Sequence, residues 1–314
     1  MKVHALKLGG VPTDNNLFLA PMAGFTDYPF RKTVLPLYVG LCFTELTSAK
    51  GLYYAAKNNG RILKTDDYKR TAAQIFGSDP YFMRWATESE YLKDFKIIDI
   101  NMGCPVPKIV KNGEGSALLS DIKLAENIVK ECVKSGKIVT VKIRTGIKAG
   151  DDIAAEFAKM AENAGASLVT VHGRVREAYY SGEPDYKAIE RAKNSVKIPV
   201  IANGGIFTAA DADKMTENTG ADGVMIARGA IADPFIFSKI SGKSVSGDIK
   251  GIKDFAIAHL REEVKFSGSE RAAVEFRKFV PYYFKSVDNS KAKRAEIMQS
   301  TSAERTEELL NKYL

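Results

Sequence analysis

The sequence is poor in cysteine and histidine, with three of each in 314 residues. The cysteines, Cys42, Cys104 and Cys132, lie far apart and form no CxxC pair, so neither a disulfide framework nor a zinc site is indicated. Because histidine is also scarce, few metal ligands are available and we expect no bound metal. No apolar run approaches the ~20 residues that cross a bilayer, and the N-terminal segment has no signal-like apolar stretch. These absences predict a cytoplasmic protein without a membrane partner.

Basic residues are in excess. Lysine and arginine number 46 against 38 aspartates and glutamates, which gives a net charge of +8 and an isoelectric point near 9.1. Such a balance favours a polyanionic partner such as nucleic acid, although many basic proteins bind none. The content of 45% hydrophobic and 27% charged residues is typical of a folded chain, long enough for one large domain or for a large domain with a smaller one attached.

Eight short apolar runs rich in β-branched residues recur along the chain, and helical patterns separate several of them. One of these helical patterns ends at Gly165, and another begins with Thr208 and Asp211 in capping-box spacing. Apolar strands that alternate with helices predict a parallel sheet covered by helices, and eight units predict a closed (β/α)8 TIM barrel. An open doubly wound sheet is the alternative, less favoured because no GxGxxG motif follows the first run. The runs begin at Leu17, Leu41, Ala72, Ile97, Ile138, Leu168, Ile198 and Gly223.

The chain changes character after the eighth run. Its last part is helical in pattern, and we predict two domains, a catalytic barrel over residues 1–245 and a helical domain over residues 246–314. Between Arg271 and Arg294 seven basic residues occur with only two acidic ones, and five aromatic residues are interleaved with them. This segment is either an amphipathic helix pair with solvated charges or a surface that contacts nucleic-acid phosphates.

Polar side chains occur at the predicted C-terminal ends of the strands, where TIM-barrel enzymes have their active sites. Taken singly, each could be a structural or surface residue. Several of them converging on one end of a barrel would be costly without a polar ligand to satisfy them. The set consists of Gln74, Asn101, Lys142, Arg144, His172, Asn203 and Arg228.

Glycine-containing loops follow the seventh and eighth predicted strands. Their sequences are NGGIFT from Asn203 and ARGAIADP from Ala227. Glycine lets backbone amides approach an anion closely, and a following helix start and Arg228 add positive charge. Because these two loops often bind phosphate in TIM barrels, we predict a phosphate site here.

Seven motifs follow one another along the chain: APMAGFTDYPFR from Ala20, QIFG from Gln74, DINMGCP from Asp99 followed by GSALL, VKIRTG from Val141, VTVHGR from Val169, VIANGGI from Val200 and MIARGA from Met225. In this order they resemble the motifs of the tRNA-dihydrouridine synthases, flavin enzymes that reduce selected uridines in tRNA. The resemblance covers the barrel almost end to end and leans towards the bacterial branch called the B type. The segment EFRKFVPYYFK from Glu275 is similar to the family's helical tRNA-binding domain, which favours the nucleic-acid interpretation of the basic tail.

The resemblance implies that FMN lies at the open end of the barrel. Gln74 and Lys142 would address the polar edge of the flavin ring, with His172 beside it. A cation at that edge would stabilise the anionic reduced flavin. The other implied cofactor-binding residues are Pro21, Met22 and Ala23 along the ring, with Asn203, Gly204, Gly205, Ala227, Arg228 and Gly229 at the ribityl phosphate.

The implied reaction adds two hydrogens across the 5,6 double bond of uracil. NADPH, or NADH, reduces FMN, the flavin gives hydride to carbon 6, and Cys104 matches the family's proton donor to carbon 5. A thiol with an ordinary pKa of ~8.5 is mostly protonated at neutral pH and can act as an acid. Gly103 and Pro105 flank Cys104 and predict a loop, and the segment that follows could close as a lid over a flipped-out base.

Further residues are expected to contact the substrate. Asn101 would hydrogen-bond the uracil edge, and Arg144 or Arg174 would meet a nearby phosphate or base. Arg277 and Lys278 are expected to contact tRNA, and we expect a monomer. Two alternatives stay open: an FMN barrel acting on a free pyrimidine such as dihydroorotate, and a noncatalytic RNA-binding barrel. The basic tail argues against the first, and bound flavin would argue against the second.

Overall fold

The computed structural model describes residues 1–54, 59–245, 247–285 and 287–314, and it contains a closed barrel of eight parallel strands. In chain order the strands are β1 (Leu17–Leu19), β2 (Leu41–Phe43), β3 (Thr71–Phe76), β4 (Ile97–Met102), β5 (Ile138–Arg144), β6 (Leu168–His172), β7 (Val200–Asn203) and β8 (Gly223–Ile226). Each strand pairs with the next, and β8 closes the barrel on β1 by pairing Val224 with Leu17. The predicted TIM barrel is confirmed, and the closing pair excludes the open sheet.

Helices follow the strands and cover the barrel, as the alternating pattern predicts. The capping box of Thr208 and Asp211 begins α9 as expected, and Gly165 follows α7 with a left-handed φ of 98°. None of the helices in the described ranges is long and apolar enough to span a membrane. The helices are α1 (Tyr28–Val34), α2 (Ala49–Tyr53), α3 (Asn59–Ile62), α4 (Pro80–Glu88), α5 (Pro107–Lys111), α6 (Ile122–Val133), α7 (Ala154–Asn163), α8 (Tyr186–Ser195), α9 (Ala209–Thr219), α10 (Arg228–Ala232), α11 (Ile236–Ile240), α12 (Ile249–Ser267), α13 (Ser269–Phe276), α14 (Val280–Tyr283), α15 (Ser290–Met298) and α16 (Ala303–Tyr313).

The N-terminal end of the barrel is closed by side chains. Phe18, Phe43 and Met225 are buried in the inner apolar cluster, which is separate from the larger cluster between strands and helices. An antiparallel hairpin, Lys7–Leu8 with Val11–Pro12, adds Leu8 to the inner cluster. Access to the interior is therefore left to the opposite end, where the strands finish in polar residues.

The C-terminal helices pack on α1 through an aromatic cluster centred on Phe279. The Phe279 ring stacks on Phe30 at 5.3 Å between centroids and on Tyr283 at 6.0 Å, and it contacts the His259 ring edge-on at 4.5 Å. All four side chains are buried. These tail aromatics are therefore core residues and not RNA-stacking platforms. The predicted domain boundary falls at Ser246, which lies outside the described residues, and the two-domain division stays a prediction.

Candidate active site

A cavity of about 480 Å³ opens at the C-terminal end of the barrel. Tyr282 of the C-terminal helices and Phe25 of the loop after β1 complete its wall, with their rings 6.0 Å apart. Barrel and C-terminal helices thus form the cavity together. All the barrel residues predicted to bind cofactor or substrate line it, namely Pro21, Met22, Ala23, Gln74, Asn101, Cys104, Lys142, Arg144, His172, Arg174, Asn203, Gly204, Gly205, Ala227, Arg228 and Gly229.

The cavity wall is strongly cationic. It carries Lys142, Arg144, Arg174 and Arg228, and no carboxylate is found among the described residues that line it. Burial, together with these four cations, lowers the pKa of His172 well below its ordinary value, so the imidazole is neutral at pH 7. Burial and the Arg144 charge also lower the pKa of Lys142 to about 8, which leaves the ammonium mostly protonated at pH 7. The site is therefore suited to an anionic ligand.

The loop after β7 forms a recess next to Arg174. Gly204 and Gly205 have φ values of 124° and 69°, which favour glycine. A Cβ atom on Gly204 would lie 3.1 Å from Cδ2 of His172 and 3.2 Å from Nη1 of Arg174. Arg174 donates from Nε and Nη2 to the Gly182 carbonyl, whereas its Nη1 is buried without a hydrogen-bond partner. An unpartnered guanidinium N–H beside two glycines fits an oxygen of a phosphate group.

Two aromatic side chains at the rim were not found from the sequence. The guanidinium carbon of Arg228 lies 4.6 Å from the ring centroid of Tyr180 and 5.7 Å from that of Phe207. Both aromatics line the cavity, and Tyr180 is 54% exposed. They belong to loops, several residues after the strand ends, where no local pattern marks them. Arg228 is thus held at the rim by the two aromatic faces.

A chain of hydrogen bonds connects β3, β4 and β5 below the cavity. The Asp99 carboxylate accepts from Oγ1 of Thr140 at 2.5 Å and from Nε2 of Gln74 at 2.7 Å. Oε1 of Gln74 accepts from Nδ2 of Asn101 at 3.0 Å, and Oδ1 of Asn101 accepts the backbone N–H of Cys104 at 2.9 Å. Gln74 and Asn101 were predicted from the sequence but Asp99 was not, although Asp99 and Asn101 occupy alternate positions of β4 and face the same side.

Lys142 is held in place by a second pair of hydrogen bonds. Its Nζ donates to Oδ1 of Asn203 at 3.0 Å, and Nδ2 of Asn203 donates to the Met225 carbonyl at 2.7 Å. The buried ammonium is thereby fixed between β5 and β7, at the end of the barrel that opens into the cavity.

Cys104 lies on the cavity wall in the loop after β4. The backbone N–H and Oγ of Ser116 both donate to the Cys104 carbonyl, at 3.0 and 2.8 Å. Burial raises the pKa of the Cys104 thiol, and the Val106 backbone N–H and nearby cations offset this only in part. The thiol is therefore protonated at neutral pH, as a proton donor must be. Cys42 and Cys132 are fully buried in β2 and α6, as expected for packed thiols.

The segment after Cys104, predicted to be a lid, is largely helical. It forms α5 and a 3-10 helix, Gly115–Ser120, in which Leu118 and Leu119 are buried. Gly115 has a φ of 60°, and a Cβ there would lie 2.9 Å from the Cys104 carbonyl oxygen. Because the second half of the segment belongs to the core, the predicted closure would be limited to residues 106–114, and it stays a prediction.

All five of the predicted substrate-binding side chains make intramolecular contacts, and those of Asn101 and Arg174 are described above. Arg144 donates to three backbone carbonyls of neighbouring loops. Arg277 donates to the Ser300 carbonyl at 2.7 Å, and Lys278 forms an ion pair with Asp27 at 2.8 Å. Arg277 and Lys278 do not line the cavity. Their contacts with tRNA stay predictions.

A buried polar cluster lies outside the cavity, between α1 and α12. Asp27, His259 and Glu263 each place a potential metal ligand within 4.8 Å of the others. Lys278 already pairs with Asp27, and Nδ1 of His259 bonds the Tyr283 hydroxyl at 2.9 Å. Burial and the neighbouring Asp27 raise the pKa of Glu263 to about 9, so that carboxyl is neutral at pH 7. The charge of Lys278 and the proton on Glu263 thus neutralise the two carboxyl groups of the cluster. The expected absence of a metal stays a prediction.

Comparison with known proteins decides the family. A model of the family described as Dihydrouridine synthase (Dus) matches residues 18–314. The chain belongs to the dihydrouridine synthase family. It is therefore a member of a family of flavin-dependent oxidoreductases, and the resemblance found in the motifs is confirmed.

Two relatives of this dihydrouridine synthase are named tRNA-dihydrouridine synthase B. The protein of Vibrio cholerae is 35% identical over 316 residues, which cover 98% of each chain. The protein of Pseudomonas aeruginosa is 35% identical over 312 residues, which cover 96% of this chain and 94% of the relative. The similarity therefore extends through both the barrel and the C-terminal helices.

Two solved structures share the fold of this dihydrouridine synthase at low identity. A complex of 2-naphthoyl-CoA reductase with 2-naphthoyl-CoA has a TM-score of 0.59 and 12% identity, covering 76% of this chain. This chain spans 52% of that protein's length. TcOYE, solved with pHBA, has a TM-score of 0.55 and 12% identity, covering 76% of this chain and 92% of its own. Both confirm the barrel fold.

Proposed function

We propose that this dihydrouridine synthase reduces uridines in tRNA, with FMN as its flavin and NADPH or NADH as the reductant. The observation that carries the proposal is the cavity itself. It combines a cationic wall free of carboxylates among the described residues, a glycine recess beside an unpartnered arginine N–H, and a protonated thiol. The names of the relatives support tRNA as the substrate, and tRNA as substrate favours a cytoplasmic location.

The cavity residues fit FMN in two respects. Gly204, Gly205 and Arg174 would receive the ribityl phosphate, because the buried Nη1 of Arg174 is otherwise without an acceptor. Lys142 would place its positive charge at the polar edge of the ring, near Gln74. Bound FMN would accept hydride from the nicotinamide and deliver hydride to carbon 6 of uracil.

The residues of the chain would position the base and move one proton. Asn101 has one amide N–H bonded to Gln74 and a second available to a uracil carbonyl. The Cys104 S–H bond breaks as a C–H bond forms at carbon 5, and solvent then returns a proton to the thiolate. Because burial raises the pKa of this thiol, the acid is present at neutral pH without assistance.

The C-terminal helices offer free cations for tRNA phosphates. Lys285 and Lys291 are exposed, and neither forms an ion pair with any residue that the structure describes. The same helices place Tyr282 in the cavity wall, so RNA bound along them would lie close to Cys104. A free pyrimidine would need neither lysine, which makes the dihydroorotate alternative the less favoured one.

A charge-reversal pair tests the RNA surface. The variant with Lys285→Glu and Lys291→Glu is expected to raise the KM for tRNA about tenfold and to flatten its dependence on salt, while NADPH still reduces the flavin normally. The matched control changes Lys2 and Lys7 to Glu, since both are exposed near the closed end of the barrel. Equal KM values for the two variants would contradict the proposed surface.

Light scattering of the same samples checks the expected monomer.

A further inference from the structure

We propose that Asp99 is a positioning residue that holds the Cys104 loop by fixing the orientation of the two amide side chains between them. The proposal rests on the proposed role of Cys104 as the proton donor. It concerns a residue that does not line the cavity and touches neither uracil nor flavin in the proposed function. The observation that supports the proposal is the hydrogen-bond chain that runs from Asp99 through Gln74 and Asn101 to the Cys104 loop.

Asp99, at the first end of the hydrogen-bond chain, can only accept hydrogen bonds. Asp99 is fully buried, and burial raises its pKa to about 6, with the hydrogen bonds from Gln74 and Thr140 opposing that shift. The side chain is therefore mostly a carboxylate at pH 7 and has no hydrogen to donate. Gln74 must turn its NH₂ group towards it, and the Gln74 oxygen then faces Asn101.

The second end of the hydrogen-bond chain, at the Cys104 loop, can only donate hydrogen bonds. The backbone N–H groups of Gly103 and Cys104 lie 3.1 and 2.9 Å from Oδ1 of Asn101. Two N–H groups require an acceptor, so Asn101 must present its oxygen to the loop and its NH₂ to Gln74. With an acceptor at one end and donors at the other, only one orientation of both amides satisfies every bond.

The hydrogen-bond chain affects the proposed chemistry because it ends at the Cys104 loop. The Asn101 oxygen caps the turn that carries Cys104, and the same orientation leaves one Asn101 N–H for the cavity. If Gln74 lost its acceptor at Asp99, its amide could rotate, and the Asn101 side chain would then be held only by its bonds to the Gly103 and Cys104 N–H groups. The thiol and the base-binding amide would then be held less firmly relative to each other, whereas Lys142 would stay bonded to Asn203.

Two replacements of similar size separate hydrogen-bond acceptance from charge. In Asp99→Asn, the new oxygen can still accept from Gln74 while the new NH₂ donates to the Thr140 hydroxyl, which can accept as well as donate. In Asp99→Val, no acceptor remains. Thr140→Val is the matched control, because it removes one bond to Asp99 but leaves the bond to Gln74 intact.

The first readout is hydrogen exchange of the Gly103 and Cys104 amides in the FMN-bound protein without substrate. We expect Asp99→Val to speed exchange at these amides about tenfold, and Asp99→Asn and Thr140→Val to stay within about threefold of the parent. Because this measurement needs no uridine reduction, it stands even if the proposed function fails.

The second readout compares the two half-reactions. Asp99→Val should slow oxidation of the reduced flavin by tRNA at least about tenfold and leave flavin reduction by NADPH nearly unchanged. Loss of activity in Asp99→Asn equal to that in Asp99→Val would assign the effect to charge and overturn the proposal. Unchanged exchange, or faster exchange with unchanged oxidation by tRNA, would overturn it as well.

A second variant covers the possibility that Asp99→Val does not fold. Gln74→Met has a similar shape and removes the acceptor for Asn101, which breaks the same chain one bond later. It is expected to speed exchange of the Cys104 amide to a similar extent. Slow exchange in this variant would overturn the proposal, because the Asn101 amide would then be held without the chain.

Discussion

Replacing Cys104 by alanine should separate the two halves of the catalytic cycle. The change removes one sulfur from the cavity wall and leaves the bonds from Ser116 and to Asn101, which involve the Cys104 backbone. Flavin binding and flavin reduction by NADPH should therefore persist, because neither uses the thiol. Reduction of uridine should be lost, because carbon 5 would no longer have an acid beside it.

The size of the effect follows from the protonation state of the thiol. An unperturbed thiol of pKa ~8.5 is already about 97% protonated at pH 7, and burial raises the pKa of Cys104 further. The full general-acid contribution is therefore available in the parent enzyme at neutral pH. Its removal should slow oxidation of the reduced flavin by tRNA by about 10² to 10⁴, or about 3–5 kcal/mol.

Stopped-flow absorbance of the flavin measures both steps in one instrument. Cys132→Ala is the matched control, because it removes a buried thiol of α6 far along the chain from the cavity loop. Because burial raises the pKa of the Cys104 thiol, the parent rate of uridine reduction should also fall only at alkaline pH, as this thiol ionises. A Cys104→Ala rate within threefold of the parent, or equal losses in both half-reactions, would refute the assignment.

Three further predictions concern other parts of the chain. Glu263→Gln should stabilise the protein at pH 9 and not at pH 5, because the folded carboxyl keeps a proton that the unfolded chain releases above pH ~4.5; urea unfolding at the two pH values tests this. Phe279→Ala should lower the free energy of unfolding by about 3–5 kcal/mol, because its ring is fully buried among Phe30, His259 and Tyr283; Val274→Ala, at an exposed position, is the control. Lys142→Met should slow reduction of the flavin by NADPH. It should also abolish the fall in this rate that we expect in the parent above pH 8, where Lys142 loses its charge; a parent rate independent of pH would contradict it.

Much of the candidate site could be predicted from the sequence because a parallel barrel brings the ends of its strands together. Polar residues at those ends, such as Gln74, Lys142 and Asn203, needed only the strand assignment to be placed in one cavity. Asp99 was missed because one carboxylate in an apolar strand has no visible partner in the sequence. Tyr180 and Tyr282 enter the cavity from a loop and from the C-terminal helices, so their positions depend on tertiary packing.

The basic tail shows more clearly what amino-acid composition alone does not predict. Interleaved aromatic and basic residues suited both an RNA platform and an amphipathic helix pair. The structure buries Phe276, Phe279 and Tyr283 and exposes Lys285 and Lys291. Large aromatic rings gain most from burial against α1, whereas the ammonium groups stay in water. These three rings are therefore unavailable to RNA, whereas the two lysines are accessible.

The most direct test of the account is the chemical product. The purified protein, reconstituted with FMN, is incubated with NADPH and tRNA that lacks dihydrouridine, and the nucleosides are then analysed by mass spectrometry. We predict uridines that have gained two hydrogens at defined positions, none in the Cys104→Ala reaction, and no turnover of free orotate or dihydroorotate. Unmodified tRNA in the presence of a flavin that NADPH reduces normally, together with turnover of a free pyrimidine, would contradict it.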